Sequence, residues 1–203
     1  MATVALIGAS GNVGTRILKE LTSRNHIVTG IARHPEKIAR LDGVTPLEGD
    51  VHDEKGLAAL LQGHDAVISA VRFIDTDPEV LVRAVRDAGV KRYLVVGGAG
   101  SLEVAPGKRL VDQPDFPEEY KQEASSGADF LDYLKSVSDL DWTFLSPSAL
   151  FVPGERTGTF RLGKDQLLSN EAGSSISFED FAIALVDELE APAHIRERFT
   201  VGY

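Results

Sequence analysis

Apolar positions along this chain follow two rhythms that alternate. Runs such as Val4-Ala5-Leu6-Ile7, Tyr93-Leu94-Val95-Val96 and Trp142-Thr143-Phe144-Leu145 are nearly unbroken by charge. They read as buried parallel strands, because helices cover both faces of such a sheet. Between them, apolar residues recur at helical spacing, as Val13, Ile17, Leu18 and Leu21 do, which turns one stripe toward a core. The pattern predicts strands at 3–7, 27–32, 44–48, 65–70, 92–97 and 142–146, and helices at 12–24, 35–41, 54–62, 77–88 and 118–137. Three helix starts carry their own marks: Asp53, the pair Asp77-Pro78, and the capping-box run Ser177-Phe178-Glu179-Asp180 before an apolar helix through Leu189. Gly89 closes the second of these helices. Strands alternating with helices imply the α/β class: a Rossmann-like, doubly wound parallel sheet with helices on both faces.

Two segments break the rhythm. Residues 98–117 form a long loop rich in Gly, Pro and Asp that leaves the carboxyl end of the fifth strand. Ligands of open α/β sheets sit at such ends, and loops of this length are often functional. After Leu145 come Ser146-Pro147-Ser148, then Gly154, Gly158 and Gly163. Here the pattern predicts short strands near 165–169 and 173–177, a helix, and a last strand at 198–202. The expectation is one domain over 1–203, with 147–203 contributing a small annex on the substrate side.

Composition narrows the partners. A chain of 203 residues with 43% hydrophobic content suits one substantial core. The formal charge of −10 argues against nucleic acid, which is held by Lys and Arg on its phosphates. There is no cysteine, so disulfides, thiolate metal sites and a thiol nucleophile are out. His26, His34, His52, His64 and His194 are scattered, with no pair at metal-ligand spacing, and no metal is expected. No apolar run is long enough for a bilayer, and no basic leader precedes the first strand; a cytoplasmic protein is expected, its oligomeric state open.

The candidate chemistry begins at the first strand. Gly8-Ala9-Ser10-Gly11-Asn12-Val13-Gly14 follows the apolar run and opens an amphipathic helix. Glycine at 8 tolerates backbone angles closed to other residues, and glycine at 11 lets the chain approach a phosphate. Gly14 lets helix and strand pack closely. The helix then points its free N–H groups at an anion. In this context the spacing reads as a dinucleotide-binding loop.

An NAD-selective fold usually ends its second strand on an acidic residue that bonds the ribose hydroxyls. Here the strand runs Gly30-Ile31-Ala32-Arg33-His34. A guanidinium at Arg33 suits a 2′-phosphate, so NADP(H) is favoured over NAD(H); the alternative is a solvated turn arginine. Asp50, with Val51 after the third strand, either bonds the adenine amino group or caps the helix that follows. Ser69-Ala70-Val71 after the fourth strand are small enough for ribose to approach the backbone. Arg72 reads either as a substrate anchor or as a surface arginine.

With these pieces in hand, the chain resembles the atypical short-chain dehydrogenase/reductases. Within them it is most similar to a small bacterial group named for NADH-flavin reduction and related to biliverdin-IXβ reductase. The resemblance rests on Gly8-Ala9-Ser10-Gly11-Asn12-Val13-Gly14, Val96-Gly97-Gly98-Ala99-Gly100-Ser101-Leu102, Trp142-Thr143-Phe144-Leu145-Ser146-Pro147-Ser148 and Pro153-Gly154-Glu155-Arg156-Thr157-Gly158. It covers essentially the whole chain and implies a reductase-like nucleotide-binding domain; the leading reading is an NADPH-dependent reductase of a flavin or related conjugated acceptor.

The wider superfamily performs acid–base chemistry with a Tyr and a Lys four residues later, where the cation lowers the phenol pKa. Tyr93 is followed at that spacing by Gly97, Tyr120 by Ala124 and Tyr133 by Val137, while Tyr203 ends the sequence. The pair is absent. Flavin reduction asks less of the protein, since the cofactor carries the chemistry and water can deliver the proton. Ser101 is the expected hydroxyl beside the acceptor, or else it satisfies a loop backbone group. Tyr120 offers a stacking face or a proton, or else simply packs. Pro147 and Ser148 shape the nicotinamide pocket. A non-catalytic NADP(H)-binding sensor is the alternative, with an epimerase as a third reading.

Overall fold

The computed structural model describes all residues from Met1 to Tyr203. Its centre is an eight-stranded sheet. Five parallel strands follow the expected rhythm: β1 (Thr3–Ile7), β2 (Ile27–Ala32), β3 (Val44–Glu48), β4 (Ala66–Ser69) and β5 (Arg92–Val96). The segment after β5 contains β6 (Glu103–Ala105) and β7 (Lys108–Arg109), and is followed by β8 (Asp141–Pro147), β9 (Leu150–Val152), β10 (Arg161–Gly163), β11 (Ser175–Ser177) and β12 (Glu197–Gly202). The order across the main sheet is β10-β12-β8-β5-β4-β1-β2-β3, and only β10 runs antiparallel to its neighbour. The order reverses at β1, which pairs with β2 on one side and β4 on the other. That switch point opens a crevice beyond the strand ends.

Helices α1 (Asn12–Ser23), α2 (Glu54–Leu61), α3 (Pro78–Asp87), α4 (Glu118–Leu134) and α5 (Phe178–Glu190) cover the two faces. On one face Ile17, Leu18 and Leu21 of α1 join Phe181 and Leu185 of α5 against Leu6, Ile68 and Phe199. On the other, Leu57, Leu81, Val85 and Leu131 from α2, α3 and α4 meet Ile7, Tyr93 and Phe144. Burial on both faces explains the unbroken apolar runs: all four residues of β4 and six of the seven in β8 are buried. The three anticipated caps form. The Asp53 carboxylate accepts from Gly56 N–H, Asp77 from Glu79 N–H, and the Ser177 hydroxyl from Asp180 N–H.

Some elements differ from the expectation. The helix predicted at 35–41 is a single 3-10 turn, Pro35–Lys37. The turn stops because Ile38 already has extended backbone angles, φ −72° and ψ 133°, and Ile38, Ala39 and Leu41 reach the α1-side core from this irregular chain. The predicted 98–117 loop is partly ordered as the β6–β7 hairpin, with Gly107 at φ 72° in its turn, and a 3-10 turn at Leu110–Asp112. A strand expected at 165–169 is only a bridge at Gln166, and the paired residues are instead Arg161–Gly163. Within 147–203, α5, β12 and β10 belong to the main layers, β10 as the edge strand of the large sheet, while β9 and β11 form a separate two-stranded sheet. No helix is long and apolar enough to cross a membrane.

Candidate functional site

A cavity opens at the switch point, at the carboxyl ends of β1 to β4. Its walls include Gly8, Ser10 and Gly11 after β1, Ala32 and Arg33 at the end of β2, Asp50, Val51 and His52 after β3, and Ala70, Val71 and Arg72 after β4. Separate stretches of sequence are therefore gathered around one space, as the strand order requires.

The glycine loop is built by close backbone approaches. Gly8 sits at φ 84°, and a side chain there would run into the Ala70 carbonyl. A side chain at Gly14 would meet the Gly8 carbonyl, so this glycine seats α1 against the loop. Gly11 has ordinary backbone angles as the residue before α1, and no side chain caps the helix there. The first-turn N–H groups of α1 thus keep their capacity for an anion. Ala9 is buried and donates its N–H to the Ile31 carbonyl, so it anchors the loop from beneath. Asn12 and Val13 open α1 beside the loop.

Arg33 is exposed and has no hydrogen-bond or ion-pair partner in the protein. Asp50 is not the helix cap: that role belongs to Asp53, while Asp50 Oδ1 accepts from the His52 N–H at 3.0 Å. Arg72 lines the cavity with only a loose contact to Asp75 at 3.9 Å. His52 lines it too, although nothing in its sequence setting pointed there. The Ser69 hydroxyl turns into the core, 2.9 Å from the Tyr93 hydroxyl. Ser69 can therefore serve a ligand only through its backbone.

A second cluster lies at the ends of β5 and β8. The chain after β5 packs directly on α4, since a side chain at Gly100 would meet Ala124 Cβ at 2.8 Å. Tyr120 is one helical turn before Ala124 and so shares its face. Tyr120 is 62% exposed and its hydroxyl has no partner. Ser101 is nearly buried, and its Oγ accepts from Arg198 Nη1 at 3.2 Å. Pro147 ends β8 inside the sheet, paired with Val201, and Ser148 is buried with its hydroxyl donating to the Val201 carbonyl. No residue beside this cluster forms a phenol–ammonium pair. Tyr93 is fully buried, and burial pushes its phenol far above the usual range. No group of His, Cys, Asp and Glu is arranged to hold a metal ion.

Comparison with known proteins places this geometry. A family model described as NAD(P)H-binding matches residues 8–192. The chain is 44% identical to the Bacillus subtilis protein YwnB over 98% of this chain and 97% of that one. A candidate epimerase from Bacteroides thetaiotaomicron is 42% identical over 99% of this chain and 96% of its own, with a TM-score of 0.93. A candidate NADH-flavin reductase from Streptococcus pneumoniae is 39% identical over 100% and 99%, with a TM-score of 0.84.

Proposed function

The chain belongs to the NAD(P)H-binding family, and we propose that within it this protein is an NADPH-dependent reductase of a flavin or a related conjugated acceptor. The observation that carries the reading is a pair of features. One is the glycine cradle at the switch point; the other is the lack of any phenol–ammonium pair beside the β5 and β8 ends. Oxidoreductase chemistry with an alcohol or ketone asks for a positioned acid, whereas reduction of a conjugated ring system does not.

The residues fit a dinucleotide. Gly8, Ser10 and Gly11 leave room for a pyrophosphate against the α1 N-terminus, with Ala9, Asn12, Val13 and Gly14 fixing the shape of the turn. Asp50 and Val51 line the cavity where the adenine would lie, and Ala70 and Val71 line it where the riboses would approach, with Ser69 buried just before them at the end of β4. Arg33, free of any internal partner, is placed to pair with a 2′-phosphate, which supports NADP(H) over NAD(H).

When bound, a reduced nicotinamide supplies the hydride. The chain's own residues then have to hold a flat acceptor beside it. Tyr120 presents an exposed ring on α4, and Ser101 follows Gly100, which packs on the same helix face at Ala124. Pro147, buried at the carboxyl end of β8, would shape the nicotinamide pocket. Ser101 acts as a hydrogen-bond donor to the acceptor as negative charge develops on it, and solvent delivers the proton.

Stopped-flow measurement of NADPH oxidation with riboflavin, FMN and FAD tests the reading. Turnover well above the rate of the free reactants is expected. Tight NADPH binding without turnover of any flavin would replace the enzyme by a nucleotide sensor.

A further inference from the structure

Arg198 lies in β12, where Phe199 and Val201 point to the α1–α5 face. Strand alternation sends Arg198 and Thr200 to the opposite face, beneath the chain that follows β5. Its side chain is only 7% exposed. On the solvent side Asp165 accepts from Nε at 2.9 Å and from Nη2 at 2.7 Å. On the inner side Nη1 donates to Ser101 Oγ at 3.2 Å and to Ser146 Oγ at 3.4 Å, while Nη2 reaches the Ser101 carbonyl at 3.5 Å. Asp165 thus clamps the guanidinium in one orientation, and its inward N–H groups meet two serines.

A guanidinium has no acceptor. Ser101 Oγ must therefore use a lone pair for Arg198, and its own hydrogen is left to point elsewhere. No protein acceptor takes that hydrogen. A nearly buried hydroxyl usually spends its proton within the protein. Here it is unspent, and the neighbouring cation makes it a stronger donor. Ser146 shares the arrangement but is wholly buried, whereas Ser101 is 9% exposed and is the one able to touch a ligand.

We propose that Arg198 is a positioning residue for Ser101: it fixes the hydroxyl as an acceptor toward the protein and a donor toward the carbonyl or ring nitrogen of the substrate. The proposal rests on the reductase reading above and adds to it how an otherwise ordinary serine is aimed. Nothing is transferred from Arg198 or Ser101; the hydroxyl lends a hydrogen bond to charge arriving on the acceptor, and water supplies the proton.

A double-mutant cycle tests it, read by kcat for FMN and by FMN affinity of the NADP⁺-loaded protein. Ser101→Ala is expected to lower both about three- to tenfold, the worth of one hydrogen bond. Arg198→Met should cost as much, leave the KM for NADPH unchanged, and add little once Ser101 is already Ala. Arg198→Lys, which keeps a charged donor, should recover part of the loss. If Arg198→Met does not fold, Arg198→Lys enters the same cycle. Additive losses, or a fall in melting temperature with kcat and FMN affinity intact, would overturn the positioning role while leaving the reductase reading standing. A wild-type protein that neither binds nor reduces FMN would remove both.

Discussion

A side chain at Gly8 or Gly14 collides with backbone, whereas one at Gly11 finds the Gly8 carbonyl no nearer than 3.3 Å. The conformation at Gly11, φ −74° and ψ 170°, is open to any residue. Gly11→Val should consequently fold, losing about 1 kcal/mol at this poorly suited helix-start residue. Its branched side chain would fill the space kept for a phosphate, so calorimetry should show NADPH affinity down more than tenfold. Normal binding by the folded variant would dismiss the loop as a phosphate cradle. Arg33→Ala should be selective instead. A charge-assisted bond to a 2′-phosphate contributes on the order of 1.5–3 kcal/mol, so NADPH affinity should fall roughly ten- to hundredfold while NADH affinity barely moves. Equal affinities of the wild-type protein for the two cofactors would remove the argument from Arg33. At this scale the loop glycines were legible because a glycine triplet between an apolar strand and a helix has few uses, and the end of β2 brought Arg33 to the cavity as its place in the sequence suggested. His52 and Arg198 were not. A lone histidine in a turn and an arginine at a polar strand position look like surface, and only the packing of distant segments brings one to the cavity and buries the other.

Among the elements, α4 holds both halves of the candidate site. Ala124 meets the chain after β5, and one residue earlier the Glu123 carboxylate accepts from Phe73 N–H at 2.9 Å and Ile74 N–H at 3.0 Å. Those two N–H groups open the short turn Phe73–Asp75, which directly follows Ala70, Val71 and Arg72 on the cavity wall. Gly127 lets the Phe73 ring lie flush on the helix, since a side chain would meet it at 2.9 Å. Glu123→Ala leaves both N–H groups without their acceptor and frees the turn. NADPH affinity should drop several-fold beside a modest loss of stability, about 1–3 kcal/mol in total. Glu123→Gln, which keeps one acceptor oxygen, should recover part of the affinity. A lower melting temperature with cofactor affinity untouched would show that α4 only braces the fold. The elements that could be read from the pattern are those with strong local causes: apolar runs buried on both faces, and helices with their own caps. The β6–β7 hairpin and β9 escaped because each is three residues or fewer and is fixed by partners far along the chain. The Glu103 N–H bonds the Asp165 carbonyl, and Leu150–Val152 pairs with Ser175–Ser177.

Across the molecule, the last helix and last strand are joined to the sheet by one buried carboxylate. Glu188 of α5 accepts from Arg92 Nη2 at 2.9 Å, from the His194 N–H at 3.0 Å and from Ala193 N–H at 3.2 Å, with the His194 ring nitrogen 2.8 Å away. Arg92 also donates to Thr143 Oγ1 at 2.7 Å. The cluster therefore links β5, β8 and α5 to the turn that leads into β12, the strand carrying Arg198. Burial works against ionisation of Glu188, but its bonds to His194 and Ala193 prevail and hold the carboxyl below the usual range. Glu20, held by Arg156 and Arg24 against the same burial cost, is lowered as well. A carboxylate whose pKa is depressed by folding contributes stability at pH values above its unfolded pKa. That contribution is lost as pH falls through the lower, folded value. The melting temperature should accordingly hold from neutrality to about pH 5 and decline progressively below about 4.5, the ordinary glutamate range. Glu188→Ala strips a buried arginine of its partner, at about 3–5 kcal/mol, or roughly 10 °C for a chain of this size. Its acid decline should also be shallower than that of the wild type, because one of the depressed carboxylates is gone. Melting curves from pH 3 to 8 on both proteins would measure this. Parallel acid declines would mean that Glu188 is held by packing alone, and that the charge at this junction contributes nothing to keeping β12 in place.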